Sequence, residues 1–498
     1  MRSWRTISAR FTLRCERCLA SVSEPVVARD RSVPGSRNGA RPSAERGGWT
    51  RKRPKAVRRR SFLDESDHAE LPLIERIYRA RGADPRSSHH NLGALDSAER
   101  LLGCRKGAGL LADAIMAGKR ILVVGDYDVD GATSTALCVL ALRALGAQHV
   151  DYFVPDRFVH GYGLSPMVVA AVSERTPDLL LTVDNGISSV DGVAAARASG
   201  MAVIITDHHL PGPELPQADA IVNPNQPGCP FPWKSTAGVG VAFYLLAALR
   251  QELKARAWFA EGEGVGGGPR AEPSMGTWLD LVALGTVADV VPLEFNNRVL
   301  VASGLKRIRA GRCRPGILAL LRLAGRNPAR ASASDLAFAV APRLNAAGRL
   351  QDIGIGIECL LAEDQASAES LAEELQELNL ARKDIEDDMR EQALGIATAL
   401  AARLQGLPPA FCLYDASWHQ GVLGIVAARI KDQFNRPVIV LARGESGELK
   451  GSGRSIPGLH LRDVLDEVAA TSPGLLSRFG GHAMAAGLTL APEGLESF

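Results

Sequence analysis

Between Arg120 and Pro224 the chain alternates short apolar runs with stretches of helical length, a rhythm that few folds accept. The runs "RILVV" (120–124), "VDYFVP" (150–155), "DLLLTVD" (178–184), "AVIITD" (202–207) and "DAIVNP" (219–224) read as buried strands. Segments 132–146, 165–174 and 188–200 between them read as helices. Strands joined by helices of this length need right-handed crossovers, so the region predicts a doubly wound, parallel α/β sheet. A helical block follows to about Leu361, broken by the Gly-rich stretch "AEGEGVGGGPRAEPS" (260–274), which reads as a surface insertion. Residues 363–405 read as one long charged helix, with Leu371, Leu375, Leu378, Ile385 and Met389 along one side to pack on a neighbour. A smaller α/β domain follows. The expected division is therefore a basic extension (1–60), a larger α/β domain (70–362), a connector helix (363–405) and a C-terminal domain (406–498).

Charge excludes one easy inference. Residues 1–60 hold fifteen Arg and two Lys against four acids, a net of +13, which leaves the rest at −10 within a total of +3. A nucleic-acid partner cannot be argued from that balance, so any bound anion must meet a local basic groove or metal ions. The basic segment lacks hydrophobic periodicity and is expected to be disordered. Its composition favours a dispensable tail or an upstream start over an organellar targeting peptide. No apolar run of ~20 residues occurs, so no membrane span is expected. The eight Cys are scattered, and Cys15–Cys18 has no second pair to complete a zinc site. They read as reduced thiols of a cytoplasmic protein, and His89 and His90 as solvated linker residues.

The polar residues fall where an open parallel sheet binds ligands, beyond the carboxyl ends of its strands. Asp126 and Asp128 follow the first strand, Asp184 ends the third, and Asp207, His208 and His209 end the fourth. Asp289, in "LVALGTVADVVPL", has only apolar or small close neighbours, so burial and a cationic partner are expected for it. "DYDVDG" (126–131) also resembles the opening of an EF-hand loop. Leu137 stands where that loop needs Glu, and a strand rather than a helix precedes it, so the calcium reading fails. Asp130 and Gly131 are expected to shape the turn and start the helix. Several Asp with His suit Mn²⁺ or Mg²⁺ better than zinc, and their number suits two ions that act on a phosphate.

"GDYDVDGATST", "TVDNGIS", "ITDHHLPG" and "LGTVADVVPL", in this order, resemble the successive motifs of the DHH phosphoesterase superfamily. "VPDRFVHGYGLS", "VNPNQPGCPFP", "STAGVGVAFYL" and "APRLNAAGRL" support the match. "WHQGVLGIVAARI", "GSGRSIPGLHL" and "FGGHAMAAGLTL" resemble the DHH-associated C-terminal domain. The resemblance runs from about residue 70 to the end and is nearest to the superfamily's single-strand-specific exonucleases. It implies a DHH catalytic domain over 70–362. It also implies that Asp126 and Asp128 each bind one of two Mn²⁺ or Mg²⁺ ions, that Asp184 bridges them, and that His208 and Asp289 complete the coordination of the second ion. Asp207 would orient its neighbours, and His209 would touch the scissile phosphate. Pyrophosphatase-like members carry a His four residues before the first Asp; Leu122 stands there, which points away from them.

The implied reaction is 5′→3′ hydrolysis of single-stranded DNA to 5′-mononucleotides, in DNA repair and recombination, by a monomer working beside a single-strand-binding protein and a helicase. Arg157 and His160, then Arg343, Asn345 and Arg349, then Ser452 and Arg454, and last Gly480, Gly481 and His482 are the residues expected to hold the strand. Relatives continue into an oligonucleotide-binding barrel, whereas this sequence ends 16 residues past His482, so the barrel is expected to be missing. The alternative is a DHH phosphodiesterase for short RNA or cyclic dinucleotides. A non-catalytic scaffold fits poorly, since every expected ligand is present.

Overall fold

The computed structural model describes residues 72–80, 91–261, 270–444 and 446–498. The basic segment with Cys15 and Cys18, the His89–His90 pair and the middle of the Gly-rich stretch lie outside the described residues. Residues 86–495 form one compact unit, and the helix Leu73–Ala80 belongs to another.

Within the larger unit, α1 (Cys104–Met116) leads into β1 (Arg120–Val124) and α2 (Val129–Ala144). Then come β2 (His149–Phe153), α3 (Pro166–Ser173), β3 (Leu179–Val183), α4 (Val190–Ala198), β4 (Ala202–Thr206) and β5 (Ala220–Val222). All five strands pair in parallel in the order 2-1-3-4-5. Ile121, Val123, Leu179, Leu181 and Ile204 point into one core, shared with Leu111 of α1, Leu137 of α2 and Leu245 of α5 (Gly238–Ala255). Leu122, Val124, Leu180, Val203 and Ile205 point into the other, closed by Val168 of α3 and Val193 of α4. Both faces being covered, the strands carry continuous apolar runs rather than alternation. Each such side chain gains about 1.5–3 kcal/mol by burial. A charge inside would forfeit that and its own hydration, which confines the acids to the strand ends.

The helical block adds α6 (Leu279–Ala288), packed on α2 and α5, and α7 (Ala341–Leu350). α8 (Gln365–Arg403) differs from a connector resting on one neighbour. Its first half sends Ala368, Ala372 and Leu375 into the core of the first sheet. Its second half sends Met389, Ala393 and Ala397 into a second core, with Val426 and Ile430 of α9 (Leu423–Phe434) and with β6 (Phe411–Tyr414) and β7 (Val438–Arg443). The second sheet is completed by β8 (Leu449–Arg454), β9 (Leu476–Gly481) and β10 (Ala485–Leu490), in the order 6-7-8-10-9; only β6 and β7 run parallel. Among the described residues, no helix is long and apolar enough to cross a membrane.

Candidate metal centre

Strand order 2-1-3-4-5 changes direction between β1 and β3, and the crevice at their carboxyl ends is where such a sheet receives a ligand. Asp126 stands two residues past β1, Asp184 one past β3 and Asp207 one past β4. Asp126 Oδ1 accepts its neighbour Tyr127 N–H at 2.7 Å. Asp128 is the N-cap of α2, its Oδ1 accepting the N–H groups of Asp130 (3.0 Å) and Gly131 (3.1 Å). That cap starts the helix about one turn earlier than the apolar pattern suggests. Gly131 permits the close fit, because a Cβ there would lie 2.5 Å from Asp126 O.

Asp184 is buried in left-handed backbone, φ 61°, which Asp tolerates better than most residues. The start of α5 presses on it, and a Cβ on Gly238 would meet Asp184 Oδ1 at 2.5 Å. Asp130 does not act within its own turn, contrary to the sequence expectation. Its buried carboxylate reaches across to accept the N–H groups of Gly238 (2.7 Å) and Val239 (3.0 Å), and so pins the start of α5 against Asp184.

Asp207 is a hub. Its carboxylate accepts the N–H groups of Ile187 (2.9 Å), His208 (2.7 Å) and His209 (3.0 Å), and faces His209 Nδ1 at 2.7 Å. His208 Nε2 lies 3.2 Å from Asp184 Oδ1 and 3.6 Å from Asp289 Oδ2. Asp289, the C-cap of α6, is not the buried residue its apolar neighbours suggested: its side chain is 23% exposed. Of its neighbours, Val287, Ala288 and Val291 stay packed against the core, while Val290 turns outward where the helix ends. Three sets now have ligand atoms within 4.8 Å of one another: Asp126, Asp128 and Asp184; Asp184, His208 and His209; Asp130, His208 and Asp289.

The donor set fits divalent cations. Asp184 Oδ1, His208 Nε2 and Asp289 Oδ2 are buried and lack any hydrogen-bond partner. An unpaired buried polar atom costs about 1–3 kcal/mol, so three converging on one point need a common partner. Carboxylate oxygens with one imidazole nitrogen are the donors Mn²⁺ and Mg²⁺ prefer. Burial, and then the neighbouring carboxylates, hold Asp126 and Asp184 well above the usual range and push Asp289 up to about 7. Burial, then the charge of His209, pushes His208 down to about 4, so its ring is uncharged at neutral pH and has one nitrogen lone pair to offer. Leu122, in contrast, is buried in the sheet core and offers the crevice nothing.

The DHH family N-terminal domain matches residues 120–286, and the DHHA1 domain matches 401–498. The single-stranded-DNA-specific exonuclease RecJ of Dickeya dadantii is 51% identical over 444 residues, covering 89% of this chain and 76% of that protein. The chain belongs to the RecJ family. A crystal structure of an exonuclease RecJ bound to manganese is similar at 37% identity and TM-score 0.64, covering 79% of this chain and 92% of that one. RecJ from Thermus thermophilus in complex with Mg²⁺ is similar at 32% identity and TM-score 0.60, covering 86% and 59%.

Beside the acidic crevice, this RecJ-family chain gathers arginines from three elements and a loop. Arg157 stacks over the Tyr127 ring at 4.4 Å and donates to Gly348 O at 3.4 Å. Arg349 of α7 donates to Gly421 O at 3.1 Å. Burial, then the charges of Arg157 and Arg382, push it down to about 10. Arg454, at the end of β8, donates to Ser452 Oγ at 3.2 Å and is also lowered by burial. Among the described residues no direct ion pair engages Arg157, Arg349 or Arg454, although Asp126 and Asp128 of the crevice lie within electrostatic reach of Arg157 and Arg349. Of the remaining expected strand-holding residues, His160 lines one cavity with Arg157, Tyr127 and Gly348, while the others are dispersed. His160 Nδ1 accepts Asp156 N–H at 3.1 Å. Arg343 turns to Ala339 O and feels Arg326 rather than the acidic crevice, while Asn345 is half-buried on the same helix. Gly480 and Gly481 end β9 and, with His482 just beyond it, are exposed, at the end of the sheet where Arg454 pairs with Ala485.

Sequence reasoning missed Arg382, Tyr127 and Tyr162. Arg382 pairs with buried Glu386 on α8, which also meets Arg429 at 3.2 Å. Tyr162 Oη donates to Asp184 O at 3.2 Å and lies 3.2 Å from His209 Nδ1. Arg382 and Glu386, charged in a charged helix, carried no signal. Tyr162, in "VHGYGLS", stood within a quoted motif.

Proposed function

We propose that Asp126, Asp128, Asp184, His208 and Asp289 hold two divalent cations, Mn²⁺ or Mg²⁺, and that the chain hydrolyses single-stranded DNA from its 5′ end to 5′-mononucleotides. The observation that carries this is the convergence of three buried, unpartnered donor atoms at the sheet's switch point. Bound cations would supply Lewis-acid chemistry, neutralising the phosphodiester and activating water for in-line attack. The protein's own groups do the rest. Asp207 fixes the ring of His209; burial would lower this imidazole, but the Asp207 bond and charge prevail and push it up to about 9. His209 is therefore cationic at neutral pH and faces the phosphate as a charge and proton donor. Arg157, Arg349, Arg382 and Arg454 bind phosphate oxygens of the strand, with Ser452 holding the Arg454 fork. Asp130 keeps α5 close behind Asp184.

The domain boundaries at 70–362, 363–405 and 406–498 are proposed on the same basis, α8 being the piece common to both cores. Buried free Cys104, Cys138, Cys229 and Cys359 fit a reducing, cytoplasmic setting. All groups of the centre come from one chain, which supports a monomer. An enzyme consuming single strands needs strand separation and strand protection, hence a helicase and a single-strand-binding protein as companions, in repair and recombination.

The test is a time course on 5′- and 3′-labelled single strands with Mn²⁺, Mg²⁺ or EDTA. Labelled mononucleotide should leave the 5′ end first and only with metal. Early loss of the 3′ label, or equal rates in EDTA, would overturn the reading.

A further inference from the structure

Val290 stands where glycine would cost least. It follows Asp289, the C-cap of α6, with φ 63°, and its N–H reaches back to Val287 O at 3.4 Å. Helices that end in a left-handed residue usually place Gly there, because a Cβ crowds the following carbonyl. A β-branched residue in this conformation is an outlier. Packing does not compensate, since Val290 is 84% exposed. The strain is thus retained for a side chain that touches little of its own protein, one peptide bond from a carboxylate of the metal centre.

Two further exposed, largely apolar side chains stand next to groups of the same centre, one in the chain and one by contact. Leu210, directly after His209, is 67% exposed. Tyr162, 51% exposed, is tied through its hydroxyl to Asp184 O and His209. Carboxylates, imidazoles and a phosphate have no use for an apolar rim. The sugar edge and base face of a nucleoside do, and they lie next to any phosphodiester brought to the ions.

We propose that the Val290 isopropyl group packs on the nucleoside adjoining the scissile phosphate and sets how the strand lies across the metal centre. This rests on the phosphodiesterase reading above. Local strain held at a ligand site is its physical signature.

The test compares Val290→Gly and Val290→Ala with the wild-type chain, by thermal melting with and without Mn²⁺ and by kcat and KM on 5′-labelled single-stranded DNA. Val290→Gly should melt higher than wild type, keep the Mn²⁺-induced rise in melting temperature, and raise KM by about tenfold. Val290→Ala, which keeps the left-handed Cβ, should raise KM similarly without the gain in melting temperature. Wild-type KM in both variants would overturn the proposal, as would a Val290→Gly protein that melts lower than wild type. If the wild-type chain itself releases no nucleotide with Mn²⁺, the phosphodiesterase reading fails instead, so the two failures are distinguishable.

Discussion

Asp207→Asn changes one oxygen of the hub at the end of β4 and should damage both stability and catalysis. Asp207 is buried, and its two oxygens face only donors: Ile187 N–H on Oδ2, and His208 N–H, His209 N–H and His209 Nδ1 on Oδ1. If the amide keeps its oxygen toward the histidines, its NH₂ confronts Ile187 N–H, leaving two buried donors unpaired. At about 1–3 kcal/mol for each, the variant should lose roughly 2–6 kcal/mol of stability. The charge is lost as well. Burial would raise the Asp207 carboxyl, yet the His209 bonds outweigh it and hold it below its ordinary value, so it is anionic at neutral pH. Without that anion, burial of the His209 ring goes unopposed by its chief partner, and His209 loses its proton nearer neutrality. Activity should fall by about 10–100-fold, as for other partners of metal-site histidines. The sign in pH follows: wild-type His209 keeps its proton up to about 9, so the deficit should widen as pH rises from 6 to 8.5. Melting curves and Mn²⁺-dependent nucleotide release across that range measure both effects. A variant that melts with wild type and stays within about twofold in rate would refute the reasoning.

Three further outcomes are expected. Asp184→Asn should cost more than about 100-fold in nucleotide release, exceeding the loss of an outer partner, and Asp184→Ala should melt lower still because Ala at φ 61° adds about 1–2 kcal/mol of strain. Mn²⁺ at a hundred times its Kd should raise stability by about 2.7 kcal/mol and EDTA should remove it. That gain should grow with pH, because Asp289 is held up to about 7: without metal its contribution is lost as pH rises through that value, and the cation restores it, as calorimetry at pH 6 and 8 can show. Glu386→Ala should leave Arg382, whose side chain is 11% exposed, unpaired between the two cores, lowering stability by about 3–5 kcal/mol in denaturant titrations.

The parallel sheet, its five strands and the crossover helices were legible because each strand is a continuous apolar run of strand length, alternating with helical stretches, as strands covered on both faces require. The acids and histidines at the strand ends were legible for the complementary reason: charge is tolerated only at that edge. Asp289 shows the limit. Its apolar neighbours suggested burial, but the chain leaves α6 there in left-handed backbone and Val290 faces solvent, a turn that no periodicity encodes.

Asp130 shows the other limit. Local spacing placed it in its own turn, whereas its partners, Gly238 and Val239, are 108 and 109 residues away. The arginines likewise lay in separate motifs, and Arg382 in a helix charged along its length, where one more cation gives no signal. Their convergence depends on α8 entering both cores and on Gly421 meeting Arg349 across the domains. The sequence alone determined which residue types could stand at each strand end, since burial energies act locally and at short spacing. Only the tertiary structure decided which of them meet, because contacts across a hundred residues depend on how helices pack rather than on any repeat in the chain.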